Sequence, residues 1–147
     1  MYEVNEDTLA IVPISETTSR VIEKDREFII EQTPKEIIDY SCLYFGSSYE
    51  GRLEWTKHLL GISYKSPIIV EETKNLIFFP TASPRILSCA WLALKNVVNY
   101  NKKNDKCLIL FENKKKLLLG ISYNSFDNQI LRAARLDSVM RNKKKIG

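Results

Sequence analysis

SPIIVEETKNLIFFP, from Ser66 to Pro80, places two apolar runs on either side of a polar stretch at Glu72–Asn75. Ile68-Ile69-Val70 and Leu76-Ile77-Phe78-Phe79 are β-branched, aliphatic or aromatic side chains of the kind that suit a pleated surface. A polar break between two such runs marks a hairpin, which Pro80 closes. Toward the N-terminus, SRVIE (Ser19–Glu23) and EFIIE (Glu27–Glu31), separated by Lys24-Asp25-Arg26, predict another hairpin, with a strand over Thr8–Ile14 before it. Toward the C-terminus, CAWLAL, VVNY, KCLILFE and KKLLLGISY are four more apolar runs separated by polar turns, and their expected product is an antiparallel sheet.

Helices punctuate these strands. Thr33 is a good N-cap, Pro34 suits the first helical position, and Glu36 completes a Thr-x-x-Glu capping box. Ile37, Ile38, Ser41, Cys42 and Phe45 then share one face, and Gly46 supplies a stop. GSSYEGR (Gly46–Arg52) reads as a glycine- and serine-rich loop, followed by a short helix through Leu53, Thr56, Leu59 and Leu60 to Gly61. A last helix is capped by Asn124 or Ser125 and packs through Phe126, Ile130, Ala133, Ala134 and Met140. Asn128, Arg132 and Arg135 form a separate polar-basic stripe on it. The fold class is α+β: mostly antiparallel sheets with a helix after each strand group.

The chain has 147 residues, the size of one domain over 1–147. Its net charge of +4 hides an asymmetry. Residues 1–80 carry 8 Lys/Arg and 14 Asp/Glu, a net of −6, whereas residues 81–147 carry 14 and 4, a net of +10. A charge difference of this size between an acidic and a basic half implies a polyanionic partner. Lys102-Lys103, Lys114-Lys115-Lys116 and Lys143-Lys144-Lys145 supply the runs. No segment is long and apolar enough to span a membrane, and the acidic start is not a signal peptide, so the expected location is the cytoplasm. Three widely spaced cysteines (Cys42, Cys89, Cys107) and one histidine (His58) contain no usual zinc spacing. No metal or cofactor is expected, and Cys42 belongs to the core.

Leu59-Leu-Gly-Ile-Ser-Tyr-Lys-Ser66 nearly repeats as Leu118-Leu-Gly-Ile-Ser-Tyr-Asn-Ser125. Two pseudo-related halves would produce such an echo, and so would two similar strand ends converging on the same chemistry.

Lysines in turns and tails fit sequence-blind contact with phosphate, which assigns that role to Lys114, Lys115, Lys116 and the C-terminal lysine tail. Contact with base edges, rather than phosphate, needs slimmer groups such as arginine, asparagine, serine or glutamine. Ser47, Ser48, Tyr49 and Arg52 in the loop, with Asn124, Ser125, Asn128, Gln129, Arg132 and Arg135 at the last helix, are the candidates. For Asn124 and Ser125, local capping is an equally good explanation.

Cys42-Leu-Tyr-Phe-Gly-Ser-Ser-Tyr-Glu-Gly-Arg52, with Thr56-Lys57-His-Leu-Leu-Gly61 and Lys65-Ser-Pro-Ile68, resembles the ComK family of competence transcription factors. Ile121-Ser-Tyr-Asn-Ser-Phe-Asp-Asn-Gln129 running into Leu131-Arg132 is similar too, as are Val21–Asp25 and Phe79-Pro80 through Ser83-Pro84-Arg85 to Cys89 and Trp91. The resemblance implies an activator of competence genes that reads AT-rich boxes in double-stranded DNA, mainly through the minor groove. It also implies binding as paired dimers that bend the DNA, and an adaptor that delivers the protein to a Clp protease. Lys57 and Lys65 complete the DNA-contact candidates, Lys65 within Tyr64-Lys65-Ser66, a polar, aromatic strand exit suited to contacting a partner. Ile86–Leu94 departs from the family's usual segment, so no role is carried over to it.

Two other classes compete. A basic sheet bearing Phe and Tyr would suit an RNA or single-strand binder, but Phe78, Phe79, Trp91 and Phe111 lie in continuous apolar runs that read as core. An enzyme built on Cys42 and His58 lacks any recognised catalytic spacing.

Overall fold

The computed structural model describes residues 1–146. In chain order the elements are strands β1 (Thr8–Pro13), β2 (Ser19–Glu23) and β3 (Glu27–Ile30), then helices α1 (Pro34–Tyr44) and α2 (Tyr49–Leu60). Strands β4 (Ile68–Glu71), β5 (Leu76–Pro80) and β6 (Trp91–Ala93) follow. A single 3-10 turn leads into β7 (Val97–Lys103), β8 (Lys106–Phe111) and β9 (Lys116–Leu119), and α3 (Tyr123–Ile146) ends the chain.

Strands β1 to β6 make one antiparallel sheet in the order β3-β2-β1-β6-β5-β4, and β7-β8-β9 make a second. The two predicted hairpins are present, with Val21 opposite Phe28 in one and Ile69 opposite Ile77 in the other. The apolar runs of β4, β5 and β6 do not alternate with polar residues because both faces of the large sheet are covered. Ile68, Val70, Leu76, Phe78 and Trp91 pack with Ile37, Ile38 and Cys42 of α1. Ile69, Ile77, Phe79 and Leu92 point the other way, into a core shared with Ile109 and Phe111 of the small sheet and Phe126, Ala133, Leu136 and Met140 of α3.

Helix α1 forms as its sequence dictates. The Thr33 hydroxyl accepts from the Glu36 amide at 3.1 Å and the Glu36 carboxylate accepts from the Thr33 amide at 2.9 Å, closing the capping box. Gly46, at φ +84°, ends it. Left-handed backbone of this kind is where glycine costs least.

Several expectations are corrected. The four C-terminal apolar runs do not form one sheet: β6 leaves the others and inserts between β1 and β5, pairing Ala10 with Leu92 and Phe79 with Leu92. Gly46–Arg52 is not all loop, since Ser48 caps α2 by accepting from the Gly51 amide at 2.9 Å, and Tyr49 to Arg52 are helical. The LLGISY echo is not a structural repeat. Its first copy is the C-terminal end of α2 and a turn, whereas its second is the end of β9 and the start of α3. Ser122, not Asn124 or Ser125, caps α3, its hydroxyl accepting from the Ser125 amide at 3.1 Å. The lysines expected in a tail, Lys143–Lys145, stand in the last turn of α3, where cations offset the helix dipole. On α3 the buried stripe is Phe126, Gln129, Ala133, Leu136 and Met140, and Ala134 faces solvent.

Candidate nucleic-acid interface

The acidic and basic parts of the sequence are interleaved in space. Lys115 donates to the Glu23 carbonyl at 3.0 Å and lies 3.7 Å from Glu27. Lys24 pairs with Glu112 at 3.3 Å, and Lys95 with Glu6 at 3.4 Å. The β8–β9 turn therefore sits against the acidic β2–β3 hairpin. Of its three lysines, Lys114 and Lys116 are exposed, while Lys115 is engaged in holding the two sheets together. Exposed pairs of this kind contribute little energy each, but they take their lysine out of the free cation set.

A second group of candidates converges around α2, α3 and the turn between α2 and β4. Arg132 on α3 donates to the Tyr64 carbonyl at 2.9 Å. One turn earlier, the Gln129 amide nitrogen donates to the carbonyls of Lys65 and Pro80, at 2.9 and 2.7 Å. Gln129 is only 4% exposed. It is a brace between α3 and two loops, and with its amide spent on backbone it cannot read a base. Its neighbours on the outer side of α3, Asn124, Ser125, Asn128 and Arg135, are exposed, with Arg132 half-buried.

Helix α2 adds Arg52 and Lys57. The Arg52 guanidinium lies 5.1 Å from the Trp55 ring centroid, and its Nε has no hydrogen-bond partner among the described residues. Lys57 is exposed, and Lys65, at φ +49°, lies with its amine 5.4 Å from the Tyr64 ring. Of the former loop residues, Ser47 is half-buried, Ser48 is exposed, and Tyr49 is buried beneath them, its ring carrying the Lys35 amine at 3.9 Å. Burial pushes the Tyr49 hydroxyl well above its ordinary pKa, so it stays protonated.

Sequence patterns missed Arg85 and Lys35. Arg85 is exposed on the turn between β5 and β6, and both residues line the same groove as Lys65, Ser63 and Ser66. The only signal for Arg85 was its place in the string Ser83-Pro84-Arg85.

The thiols carry no nucleophilic arrangement. Cys42, Cys89 and Cys107 are all buried and unpaired with one another. Burial pushes the Cys42 thiol up to about 12, and burial raises Cys89 and Cys107 as well. Among the described residues no group of three or more His, Cys, Asp or Glu side chains could hold a metal ion, and no helix is long and apolar enough to cross a membrane.

Comparison with known proteins gives two findings. A family model described as ComK protein matches residues 1–145. A protein of Bacillus subtilis (strain 168) named competence transcription factor is 40% identical over 139 residues, spanning 92% of this chain and 72% of the relative. No solved structure matches.

Proposed function

This chain belongs to the ComK protein family, and from that premise we propose that it is a transcriptional activator of competence genes that binds AT-rich double-stranded DNA, mainly through the minor groove. A similar protein bears the name competence transcription factor, which supports the regulatory role. The observation that carries the DNA-binding role is the bond from Arg132 to the Tyr64 carbonyl, which fastens α3 to the turn bearing Lys65. It gathers Arg132, Arg135 and Lys65 onto connected elements, with Arg52 and Lys57 on the adjoining α2.

Arginine in a narrow groove of strongly negative potential favours A-tracts, and Asn128 with Ser125 offers hydrogen bonds to A·T acceptors. Lys114, Lys116 and the last turn of α3 supply contacts to phosphate that do not depend on sequence. The chain acts in the cytoplasm as a single DNA-binding domain and occupies its sites as paired homodimers, and an adaptor of a Clp protease limits its lifetime. Phe78, Phe79, Trp91 and Phe111 are at most 1% exposed, so they are unable to stack on unpaired bases, which favours duplex over single strands.

Selection of bound sites from random duplexes, repeated at two salt concentrations, tests this function. Enriched A- and T-runs at helical-repeat spacing are the expected outcome. Recovery of no enriched sequence, or preferential competition by single-stranded RNA, would refute it.

A further inference from the structure

Between the starts of α1 and α2 and the turns around residues 63–66 and 83–87 runs a groove made of two connected cavities. One, of about 380 Å³, is lined by Tyr49, Leu53, Ser63, Tyr64, Lys65 and Ser66; the other, of about 250 Å³, is lined by Thr33, Pro34, Ile86, Leu87, Cys89 and Trp91. Lys35, Pro84 and Arg85 belong to both and join them.

Each cavity is lined by a residue whose buried polar atom has no partner among the described residues. Ser66 is 3% exposed and its hydroxyl oxygen makes no hydrogen bond. Trp91 is fully buried and its indole N–H makes none either among the described residues, but it lies too deep for a groove ligand to reach. A buried polar group left unpaired is costly, so the Ser66 hydroxyl at the groove wall favours a ligand that pairs with it. With Lys65 and Arg85 lining the same cavity, that ligand must present anionic acceptor oxygens.

The charges agree. Lys65 and Arg85 form no ion pair among the described residues, while Lys35 is balanced by Asp39 at 2.7 Å and Glu16 is the one acid on the wall. The start of α1 borders the smaller cavity, but its Thr33–Glu36 capping box already supplies a carboxylate there, so Lys65 and Arg85 carry the attraction for an anion. A lone carboxylate would satisfy one end of the groove. Successive phosphodiesters along a strand would offer anionic oxygens to both cavities, which Arg85 lines in common.

We infer that this groove clamps the phosphodiester backbone of one DNA strand, with Lys65 and Arg85 as its cations and the Ser66 hydroxyl as a buried donor. The inference rests on the DNA-binding function proposed above and adds to it the residues that grip the strand.

Duplex affinity of the whole protein, measured by fluorescence anisotropy across a salt series, tests the clamp. Lys65→Ala and Arg85→Ala should each flatten the slope of log K against log salt by about 0.9, the value for one phosphate contact. Ser66→Ala should weaken duplex binding roughly tenfold, the loss for a hydrogen bond to a charged group, with the slope unchanged. Its melting temperature should not fall, because the hydroxyl removed has no partner in the free protein. Pyrophosphate, followed by Trp91 emission in a Trp55→Phe background, probes the alternative source of phosphate.

Loss of slope with Lys65→Ala and Arg85→Ala and of affinity with Ser66→Ala supports the clamp. Wild-type duplex affinity in all three variants overturns it, and saturable pyrophosphate binding alongside that result would make the groove a small-phosphate site instead. If the unaltered protein bound no duplex at all, the DNA-binding function would fall and the clamp with it.

Discussion

The side-chain nitrogen of Gln129 reaches across from α3 to the carbonyl of Lys65, 2.9 Å away, while also serving the carbonyl of Pro80. One buried amide thereby fixes the turn that presents Lys65 and the end of the strand that leads to Arg85. Gln129→Ala leaves two carbonyls without that donor and should cost about 1–3 kcal/mol. In a chain of this size that lowers the melting temperature by roughly 3–9 °C. DNA affinity, measured well below the new midpoint, should fall as well, although the residue itself is buried.

Arg52 and Lys114 should fail differently. Arg52→Ala is expected to cost on the order of 1–3 kcal/mol of DNA binding and to erode the preference for AT-rich over mixed duplexes. Lys114→Ala should weaken all duplexes alike and flatten the salt dependence. Gel-shift titrations on matched duplexes at two salt concentrations separate the two, and equal effects from both would erase the distinction. Lys115→Ala mixes lost charge with a loosened contact to the β2–β3 hairpin, so it is the poorer probe.

Glu23 makes stability pH-dependent. Burial works to raise its pKa, but hydrogen bonds from Arg26, Tyr2 and Asn5 together outweigh that and hold it below the ordinary value. A carboxylate whose folded pKa is depressed contributes stability above its unfolded value and loses it as pH falls through the folded one. Melting temperatures of the wild type should therefore drop below about pH 4.5. Tyr2→Phe removes one of the three hydrogen bonds, which should cost about 1–3 kcal/mol at pH 7 and shrink the difference between pH 7 and pH 3.

Ser48 has a structural duty that can be measured apart from DNA. Ser48→Ala removes the cap of α2 and should cost about 1 kcal/mol in chemical denaturation. Ser47→Ala, which touches no cap, should leave the denaturation midpoint within error of the wild type.

How far the sequence disclosed this molecule follows from the range of each interaction. The start of α1 was legible because Thr33, Pro34 and Glu36 satisfy one another within a single turn. Ser47-Ser48 and Gly51 were misread because serine and glycine favour both loops and helix starts, and only the fold decides which. The echo misled for the same reason: Leu59-Leu60 ends a helix and Leu118-Leu119 ends a strand, with neighbours distant in sequence making the choice. Gln129 had a local signal, since it falls at helical spacing between Phe126 and Ala133 on the buried face of α3. The groove had none, because Thr33, Tyr49, Ser66, Arg85 and Trp91 meet only through tertiary packing.

The insertion of β6 between β1 and β5 also has a consequence for synthesis. The middle of the large sheet pairs Ile11 with Trp91, so it cannot close until the ribosome has released nearly two-thirds of the chain. Until then the nascent polypeptide holds a three-stranded meander and a hairpin with open edges, the exposed kind on which chains aggregate. A protein cut at Pro80 would keep every acidic strand and helix of the first half yet lack the strand that joins them. Its charge halves can be told apart on paper, but they are expected to fold as one unit, and late.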